Sequence, residues 1–324
     1  MRSRRLKISD GRAAYYHVIS RTVLGFRLFD DGDKEVLRKM IHKVSTFCGI
    51  EVLTYCIMDN HFHILVRVPE KKPVPDQELV RRFATLYPEP TKYQLLSPEM
   101  LARQLQQDDE NAELRRSMLM ARMGDLSSFM KLLKQRFAIW FHKHHDTFGT
   151  LWADRFKSVL VEGRAHALSV VSAYIDLNPV RAGLVSDPKD YRFCGYAEAV
   201  AGSSTAIEGL STVIGPERTL ADYRILLFGS GAVPKEGAPA VIDRKKVLQV
   251  VEKEKGKLPT HVILQCRFRY FTDGLIIGSK NFVEEKVDQW GRGLKHPCKP
   301  HSLEKQFSIE ALWMPHRPRR RAFS

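Results

Sequence analysis

The spacing of hydrophobic and polar positions predicts strands that alternate with helices in the first part of the chain. Residues 13–23, AAYYHVISRTV, are rich in β-branched and aromatic side chains and predict a first strand. Apolar residues then recur at helical spacing from Val36 to Val44, between a group of aspartates and Gly49, which predicts a helix. The runs IEVLTYCIM and HFHILVRV follow, and the turn-forming pair Asp59 and Asn60 between them predicts an antiparallel hairpin.

The next part of the pattern predicts an insertion, a long helix, a strand and a further helix. Residues from about 70 to 111 contain several prolines and the polar run QQDDEN, so we expect an insertion with short helices that lies outside the core. An apolar stripe from Leu126 to Trp140 predicts the long helix, with Asp125 as its N-cap. The segment GTLWADRFKSVLVEG predicts the strand, and ALSVVSAYIDLNPVRAGLV predicts a helix that ends before Pro179.

The composition changes near residue 230, where the segment GSGAVPKEGAPAV at 229–241 is dense in Gly, Pro and Ala and predicts a linker. We therefore expect a domain at residues 1–228 that includes the insertion, and a basic C-terminal accessory region at residues 242–324. In that region RFRYF interleaves arginines with aromatic rings, and RPRRR follows near the end of the sequence. These patterns suit contact with nucleic acid, and packing of RFRYF into a small helical core is the alternative.

The charge of the chain favours a polyanionic partner. Lys and Arg outnumber Asp and Glu by 52 to 37, which gives a formal net charge of +15. Nucleic acid is the leading class of partner, although a well-solvated basic surface produces the same charge. The five cysteines form no C-x-x-C pair and predict reduced thiols without a cysteine zinc site. We expect a cytoplasmic protein without membrane contact, because no leader and no uncharged apolar run of spanning length is visible.

The motif His61-Phe62-His63 is the first candidate for chemistry. In a strand, positions i and i+2 project from the same face, so both imidazoles point to one side of the sheet. Such a pair suits Mn, Zn, Fe or Ni, and can help to hold Mg when oxygen ligands fill the remaining positions. Two polar residues on a sheet face, without any metal, are the alternative interpretation.

A second candidate element is the pair Tyr174 and Asn178, which share a helix face at positions i and i+4. A phenol attacks phosphate poorly unless a metal or a nearby cation favours the phenolate or polarises the phosphate. The histidine pair would meet that requirement. The alternative interpretation is a half-buried helical tyrosine and an asparagine that ends the helix before Pro179.

These motifs together resemble the single-tyrosine HUH transposases, and among them the branch that is like the REP-associated tyrosine transposases. MDNHFHILV is similar to the HUH strand of that family, SAYIDLNPVRAGLV to its catalytic-tyrosine helix, and GTLWADRFKSVLV to the strand before that helix. YYHVISR and GFRLF are similar to its first strand and the residues that follow. The order and spacing also agree, and the resemblance covers residues 13–200 approximately.

The resemblance implies an α+β fold, with a central antiparallel sheet of ferredoxin-like or RRM-like order and helices on one face. The sequence beyond the linker, outside the resemblance, predicts a mainly helical C-terminal extension. The resemblance also implies that His61, His63 and Asn178 hold one divalent metal ion, Mg²⁺ or Mn²⁺, and that Tyr174 attacks a phosphodiester of single-stranded DNA. A 5′-phosphotyrosine intermediate and a free 3′-OH would result. The expected partner is single-stranded DNA with hairpin or palindromic repeats, met by a monomer or homodimer in the cytoplasm, at the nucleoid of a bacterial cell.

Basic and aromatic side chains near these motifs are candidate contacts for DNA, because Lys and Arg meet phosphates and unpaired bases stack on rings. The candidates are Arg21, Trp152, Arg155 and Lys157, and core packing is the alternative for Trp152. Two further functions stay open from the sequence. One is a catalytically silent or regulatory nucleic-acid-binding protein on the same fold, and the other is a metallohydrolase that needs the histidines but not Tyr174.

Overall fold

The computed structural model describes residues 12–92, 94–107, 109–231, 276–291, 300–302 and 312–315. Its strands are β1 (Ala14–Arg21), β2 (Glu51–Ile57), β3 (His61–Val68), β4 (Lys157–Val161), β5 (Ile276–Ile277), β6 (His301–Ser302) and β7 (Trp313–Met314). Its helices are α1 (Asp31–Cys48), α2 (Asp76–Leu86), α3 (Pro98–Leu105), α4 (Glu110–Met120), α5 (Leu126–His144), α6 (Ala165–Asp176), α7 (Asn178–Arg181), α8 (Gly195–Val200), α9 (Ser204–Ile214), α10 (Leu220–Gly231) and α11 (Lys280–Gly291).

Five strands form the main sheet in the order β2, β3, β1, β4, β5. The first four are antiparallel to their neighbours, and their order with α1 and α5 between them is the predicted ferredoxin-like arrangement. β5 adds a parallel neighbour at the outer edge of β4, so the complete sheet is mixed. The predicted α+β fold class is confirmed.

Local signals fix the ends of the two long helices as the sequence predicts. The Asp30 and Asp33 side chains each accept a hydrogen bond from the other's backbone N–H at the start of α1, a reciprocal capping box. Gly49 ends α1 in the left-handed conformation, at φ 61°. Asp125 caps α5 by accepting the backbone N–H of Ser128 at 2.7 Å. Their apolar sides are buried against each other.

Alternation along the strands gives the sheet two different sides. We call one side the histidine face, because it carries His17, Ile19, Thr54, His61 and His63. The other, the apolar face, carries Val18, Tyr55, Phe62 and Ile64.

Helices pack on both of these faces. α1 and α5 lie on the apolar face, where His42 of α1 contacts the Tyr55 ring and Phe62 contacts Trp152, which in turn packs on Phe137 of α5. The expectation of helices on one face therefore holds for the two helices that connect the first four strands. α6 follows β4 and packs instead on the histidine face, because its polar residues Tyr174 and Asp176 meet the polar side chains there.

The insertion contributes to the core, and the expectation that it lies outside is wrong. It forms the short helices α2 to α4 as expected, but Leu79, Phe83 and Leu101 are almost completely buried and join the main hydrophobic cluster. α2 packs on α1 through this apolar side. The prolines and polar residues end the helices without preventing their apolar sides from docking.

The C-terminal region contributes β5 to the sheet of the predicted first domain. The predicted linker begins within α10, and its residues 232–241 lie outside the described residues, as do RFRYF and the RPRRR run.

The opposite edge of the sheet, along β2, is approached closely by α9. A Cβ at Gly209 would lie 2.7 Å from the backbone oxygens of Val52 and Leu53, so glycine permits this approach. No helix within the described residues is long and apolar enough to cross a membrane.

Candidate metal and nucleophile site

The two imidazoles of the His-Phe-His motif lie at the start of β3 on the histidine face. In the sheet register, His61 is opposite Arg21 and His63 is opposite Ile19. The ring centroids of His61 and His63 are 5.0 Å apart. The predicted common orientation of the pair is therefore present.

Each of the two histidines is oriented through its Nδ1 atom. His63 Nδ1 lies 2.9 Å from Nε2 of His17, and His61 Nδ1 lies 2.5 Å from Oδ1 of Asn60. A contact of this kind fixes the direction of a ring and supports the other nitrogen as a ligand. His63 Nε2 is buried and has no hydrogen-bond partner among the described residues. The site thus offers at least one buried imidazole nitrogen for a ligand.

Burial keeps both imidazoles neutral. It lowers the pKa of His61 to about 3, and the positive charge of Arg21 acts in the same direction. Burial also lowers the pKa of His63 well below its ordinary value, helped by His61, His17 and Arg21. Because a metal binds the neutral form of imidazole, the ligand form is already present at physiological pH.

Helix α6 brings Tyr174 onto the same pair of rings. The Tyr174 ring lies edge-on to His63 at 5.7 Å and to His17 at 5.9 Å between centroids. The guanidinium of Arg181 lies 5.3 Å from the centre of the same ring. Only 1% of Tyr174 is exposed, so its neighbours enclose this side chain.

Asn178 replaces a hydrogen bond that Pro179 cannot make. α6 ends at Asp176, and Asn178 begins the short helix α7, so the chain stays helical past the end predicted at Pro179. Proline has no N–H for the carbonyl of Ile175, and Nδ2 of Asn178 donates to that oxygen at 3.1 Å and to the Tyr174 oxygen at 3.0 Å. Oδ1 of Asn178 is buried and has no hydrogen-bond partner among the described residues. The amide nitrogen of Asn178 is thus bound to the helix, and the amide oxygen is directed away from these two carbonyls.

The donor set fits a divalent cation. Buried polar atoms are normally satisfied, and His63 Nε2 and Asn178 Oδ1 are among the several buried atoms of the described residues that have no hydrogen-bond partner, which is consistent with a role as ligands. Within the described ranges no group of three or more His, Cys, Asp and Glu side chains is arranged to hold a metal. A set of two histidines and one asparagine does not require such a group.

Three of the four predicted DNA contacts are exposed near this site. Arg21 is exposed on the histidine face opposite His61, and exposed Lys157 pairs with Ile19 on that face. Arg155 is exposed two residues before β4.

Trp152 differs from these three residues, because its ring is buried between Phe29, Phe62 and Phe137. Its Nε1 donates to the Lys134 carbonyl at 3.0 Å. This packing agrees with the alternative interpretation of Trp152, in which the ring stabilises the apolar face.

A buried carboxyl group that the sequence analysis missed anchors α6. Asp176 accepts hydrogen bonds from the Thr54 hydroxyl at 2.8 Å, the Tyr223 hydroxyl at 2.6 Å and the Tyr196 N–H at 3.2 Å. Burial raises its pKa to about 7, although these hydrogen bonds oppose the rise. The network joins α6 to β2, α8 and α10, and so fixes the helix that carries Tyr174.

His17 is the second residue whose role the sequence analysis did not identify. The structure brings it to His63 through the β1–β3 pairing, with His17 Nε2 at 2.9 Å from His63 Nδ1. His17 faces the same side of the sheet as His63 because of the register between β1 and β3, and the two residues are 46 positions apart in the sequence. The motif alone contains no signal for that register.

Comparison with known proteins supports the resemblance seen in the motifs. Residues 12–86 match the family model Y1_Tnp, described as "Transposase IS200 like". The matched segment runs from β1 to α2 and contains His17, His61 and His63, but it ends before Tyr174 and Asn178. The predicted resemblance is confirmed over these residues.

A solved structure is also similar to this chain. It is described as "Structure of the REP associates tyrosine transposase bound to a REP hairpin", and it shares 17% sequence identity and a TM-score of 0.39. The similarity covers 62% of this chain and 87% of the other. No curated protein matches the chain.

Proposed function

We propose that the chain is a metal-dependent transposase that cuts and rejoins single-stranded DNA able to fold into hairpins. The observation that carries the proposal is the contact of the Tyr174 ring with the rings of His63 and His17. The match of residues 12–86 to IS200-like transposases also supports it, because this segment contains the histidines of the site. The hairpin substrate follows from the resemblance of the motifs to the REP-associated branch.

In this proposal His61 and His63 hold one divalent ion, Mg²⁺ or Mn²⁺, through imidazole nitrogens, and Asn178 holds it through Oδ1. When bound, the ion polarises the scissile phosphate. His17 and Asn60 orient the two imidazoles through their Nδ1 atoms. Asn178 keeps its amide oxygen directed away from α6, because Nδ2 is already bound to two helix carbonyls.

Tyr174 is the nucleophile of the proposed reaction. Its hydroxyl oxygen forms a bond to phosphorus while the bond from phosphorus to the 3′ oxygen breaks. The phenol loses its proton, the leaving oxygen gains one, and the strand on the 3′ side stays on the protein through its 5′ phosphate. Attack by a free 3′-OH on that linkage reverses the reaction, so rejoining needs no nucleotide cofactor.

Arg21, Lys157 and Arg155 are proposed to bind the phosphates on either side of the cleaved bond. They are exposed near the histidine pair, and cationic side chains supply most of the affinity for a nucleic-acid backbone. We propose that the reaction takes place in the cytoplasm at the nucleoid of a bacterial cell, with the protein as a monomer or homodimer.

The burial of Tyr174 favours one alternative function. Because this ring is 1% exposed, a protein that binds hairpin DNA without cleaving it would present the same surface. The two functions differ in a covalent product, which only the transposase forms.

The test follows a strand labelled at its 3′ end and carrying a hairpin, mixed with the full chain and Mg²⁺ or Mn²⁺. We expect the label to migrate with the protein on a denaturing gel, while a 5′ label is released on a fragment with a 3′-OH. Tyr174→Phe should remove the adduct completely and leave DNA affinity within about twofold, because phosphate contacts lie elsewhere. Tyr87→Phe, which removes a hydroxyl from a ring packed on Phe47 far from the site, is the matched control. Cleavage by Tyr174→Phe at the unaltered rate would exclude this nucleophile, and hairpin binding without any adduct would support the silent alternative.

A further inference from the structure

Three large apolar side chains near the proposed metal site are exposed to solvent. Leu24 is 80% exposed, Phe26 is 54% exposed and Phe148 is 97% exposed. They lie in two loops, residues 22–27 after β1 and residues 146–155 before β4, which we call the twin loops. Large apolar side chains that are exposed together usually mark a binding surface.

The backbone of the twin loops holds these side chains outward. Leu24 has φ 52°, and Phe148 lies between Asp146 at φ 48° and Gly149 at φ 98°. A left-handed conformation is unfavourable for leucine, so at Leu24 it persists where the surroundings enforce it, whereas aspartate adopts it more readily. Next to Phe148, the Thr147 N–H donates to the His142 carbonyl at 3.0 Å, and its hydroxyl lies 2.9 Å from His142 Nδ1.

Backbone hydrogen bonds tie the twin loops to each other. The Val23 N–H donates to the Leu151 carbonyl at 2.8 Å, and the Ala153 N–H donates to the Arg21 carbonyl at 3.0 Å. The twin loops are therefore one surface made from two segments more than a hundred residues apart.

The same surface is joined to the hairpin turn that carries the histidine pair. The Thr22 N–H donates to the Asn60 carbonyl at 2.9 Å, and the Asn60 Nδ2 donates to the Gly25 carbonyl at 2.9 Å. Asn60 also orients His61. The twin loops are therefore held next to the turn that leads into the histidine pair.

The charge around the twin loops suits a nucleic-acid strand. Arg21, Arg27 and Arg155 are exposed at their ends, with exposed Asp146 and Asp154 as the acidic residues of the loops. Residues 21–27 contain two arginines and no acid. The apolar side chains of the twin loops can contact bases, and the arginines near them can contact phosphates, as binding of a single strand requires.

We infer that the twin loops bind the unpaired nucleotides that flank the cleaved bond, with bases stacked on Phe26 and Phe148 and packed on Leu24. Arg21 and Arg155 contact the phosphates between these bases. The inference rests on the proposed function for its choice of substrate, and it adds to that proposal a site for unpaired bases separate from the hairpin stem. It also gives the role expected of Trp152 to Phe26 and Phe148, the exposed aromatic residues of the twin loops.

The test measures affinity in EDTA, so that no cleavage occurs, for a hairpin oligonucleotide with an unpaired flank. We expect Phe26→Ser and Phe148→Ser each to weaken binding by about tenfold, the usual scale for one stacked base. Leu114→Ser, which changes a 60% exposed side chain on α4, should leave affinity unchanged. Both altered rings are exposed, so we expect the variants to fold.

A second oligonucleotide with an abasic flank separates stacking from phosphate contact. We expect it to bind the unaltered chain more weakly than either variant binds the intact flank, because it removes both stacked bases, and to lose nothing further with either variant. Equal affinity of the variants and the unaltered chain for the intact flank would overturn the inference. Variants that change self-association while DNA affinity stays constant would overturn it as well, in favour of a protein contact.

The outcome is distinguishable from failure of the proposed function. A 3′-label adduct at Tyr174 together with unaltered flank binding by the two variants rejects the twin loops alone. Absence of the adduct with a tenfold loss of flank binding rejects the chemistry and keeps the binding surface.

Discussion

The two faces of the sheet are built from the same strands but have opposite character. The apolar face is closed by α1 and α5 through rings such as Phe62, Trp152 and Phe137. The histidine face is closed by α6, whose Tyr174 and Asp176 side chains meet the polar groups of His63 and Thr54. Packed rings therefore dominate one face, and hydrogen-bonded or clustered polar side chains dominate the other.

The largest expected effect is on the apolar face. Phe62 is completely buried, and its ring centroid lies 5.6 Å from that of Trp152. Phe62→Ala removes this packing and leaves a cavity, so we expect a loss of about 3–5 kcal/mol in the free energy of unfolding. Urea denaturation measures this loss. A loss below about 1 kcal/mol would show that the apolar face is not the main source of stability.

The next expected effect concerns a carboxylate beside the apolar face. Glu198 accepts hydrogen bonds from Arg38 at 2.9 Å and from the Tyr55 hydroxyl at 2.6 Å, and it lies 3.1 Å from His42 Nε2. Burial raises its pKa, but hydrogen bonds from His42 and Tyr55 and the charge of Arg38 outweigh burial and bring the pKa down to about 2.

Because the pKa of Glu198 is lower in the folded state, its ionised form stabilises the fold. This contribution is complete above pH 4.5 and is lost as the pH falls towards 2, by at most about 3 kcal/mol. We expect the difference in unfolding free energy between the unaltered chain and Glu198→Gln to shrink over that pH range. A difference that stays constant from pH 7 to pH 2 would contradict the role of the ionised group.

Asp176 on the histidine face provides a control, because its contribution to stability changes with pH in the opposite direction. Its pKa is raised to about 7, so the folded state retains a proton that the unfolded state has already lost. The unaltered chain should therefore lose stability relative to Asp176→Asn as the pH rises from about 4 to 7.

The smallest expected effect on the protein without metal is on the histidine face. His63→Leu gains apolar burial but leaves Nε2 of His17 without its contact, so we expect a net change within about 1 kcal/mol. In the presence of Mg²⁺ or Mn²⁺ at a hundredfold excess over Kd, the unaltered chain should gain about 2.7 kcal/mol of stability. The leucine variant should gain none, as thermal denaturation with and without the ion will measure. An equal gain in both proteins would remove His63 from the metal site.

Short-range patterns predicted the elements and half of the site. The alternation of β3 placed His61 and His63 on one side, and helix spacing placed Tyr174 near Asn178. These relations depend on residues within four positions of each other. The sequence therefore determines them without knowledge of the fold.

The relations that the sequence analysis missed depend on distant pairing. His17 meets His63 through a register between strands, and Asp176 meets Thr54 across 122 positions. The chemistry of Trp152 suits both stacking on a base and burial, and only contacts with distant neighbours such as Phe62 and Phe137 favour burial. β5 has two residues, too few for a periodic signal, and so its place beside β4 could not be predicted.

The closed edges of the main sheet have a consequence for aggregation. β5 covers the outer edge of β4, and α9 approaches β2 closely enough to require Gly209. An unpaired edge strand is a template for the strands of another molecule. A version of the chain that ends before residue 276 would expose the N–H and C=O groups of β4, next to the apolar residues Val159 and Val161. Such a shortened protein should form oligomers through this edge.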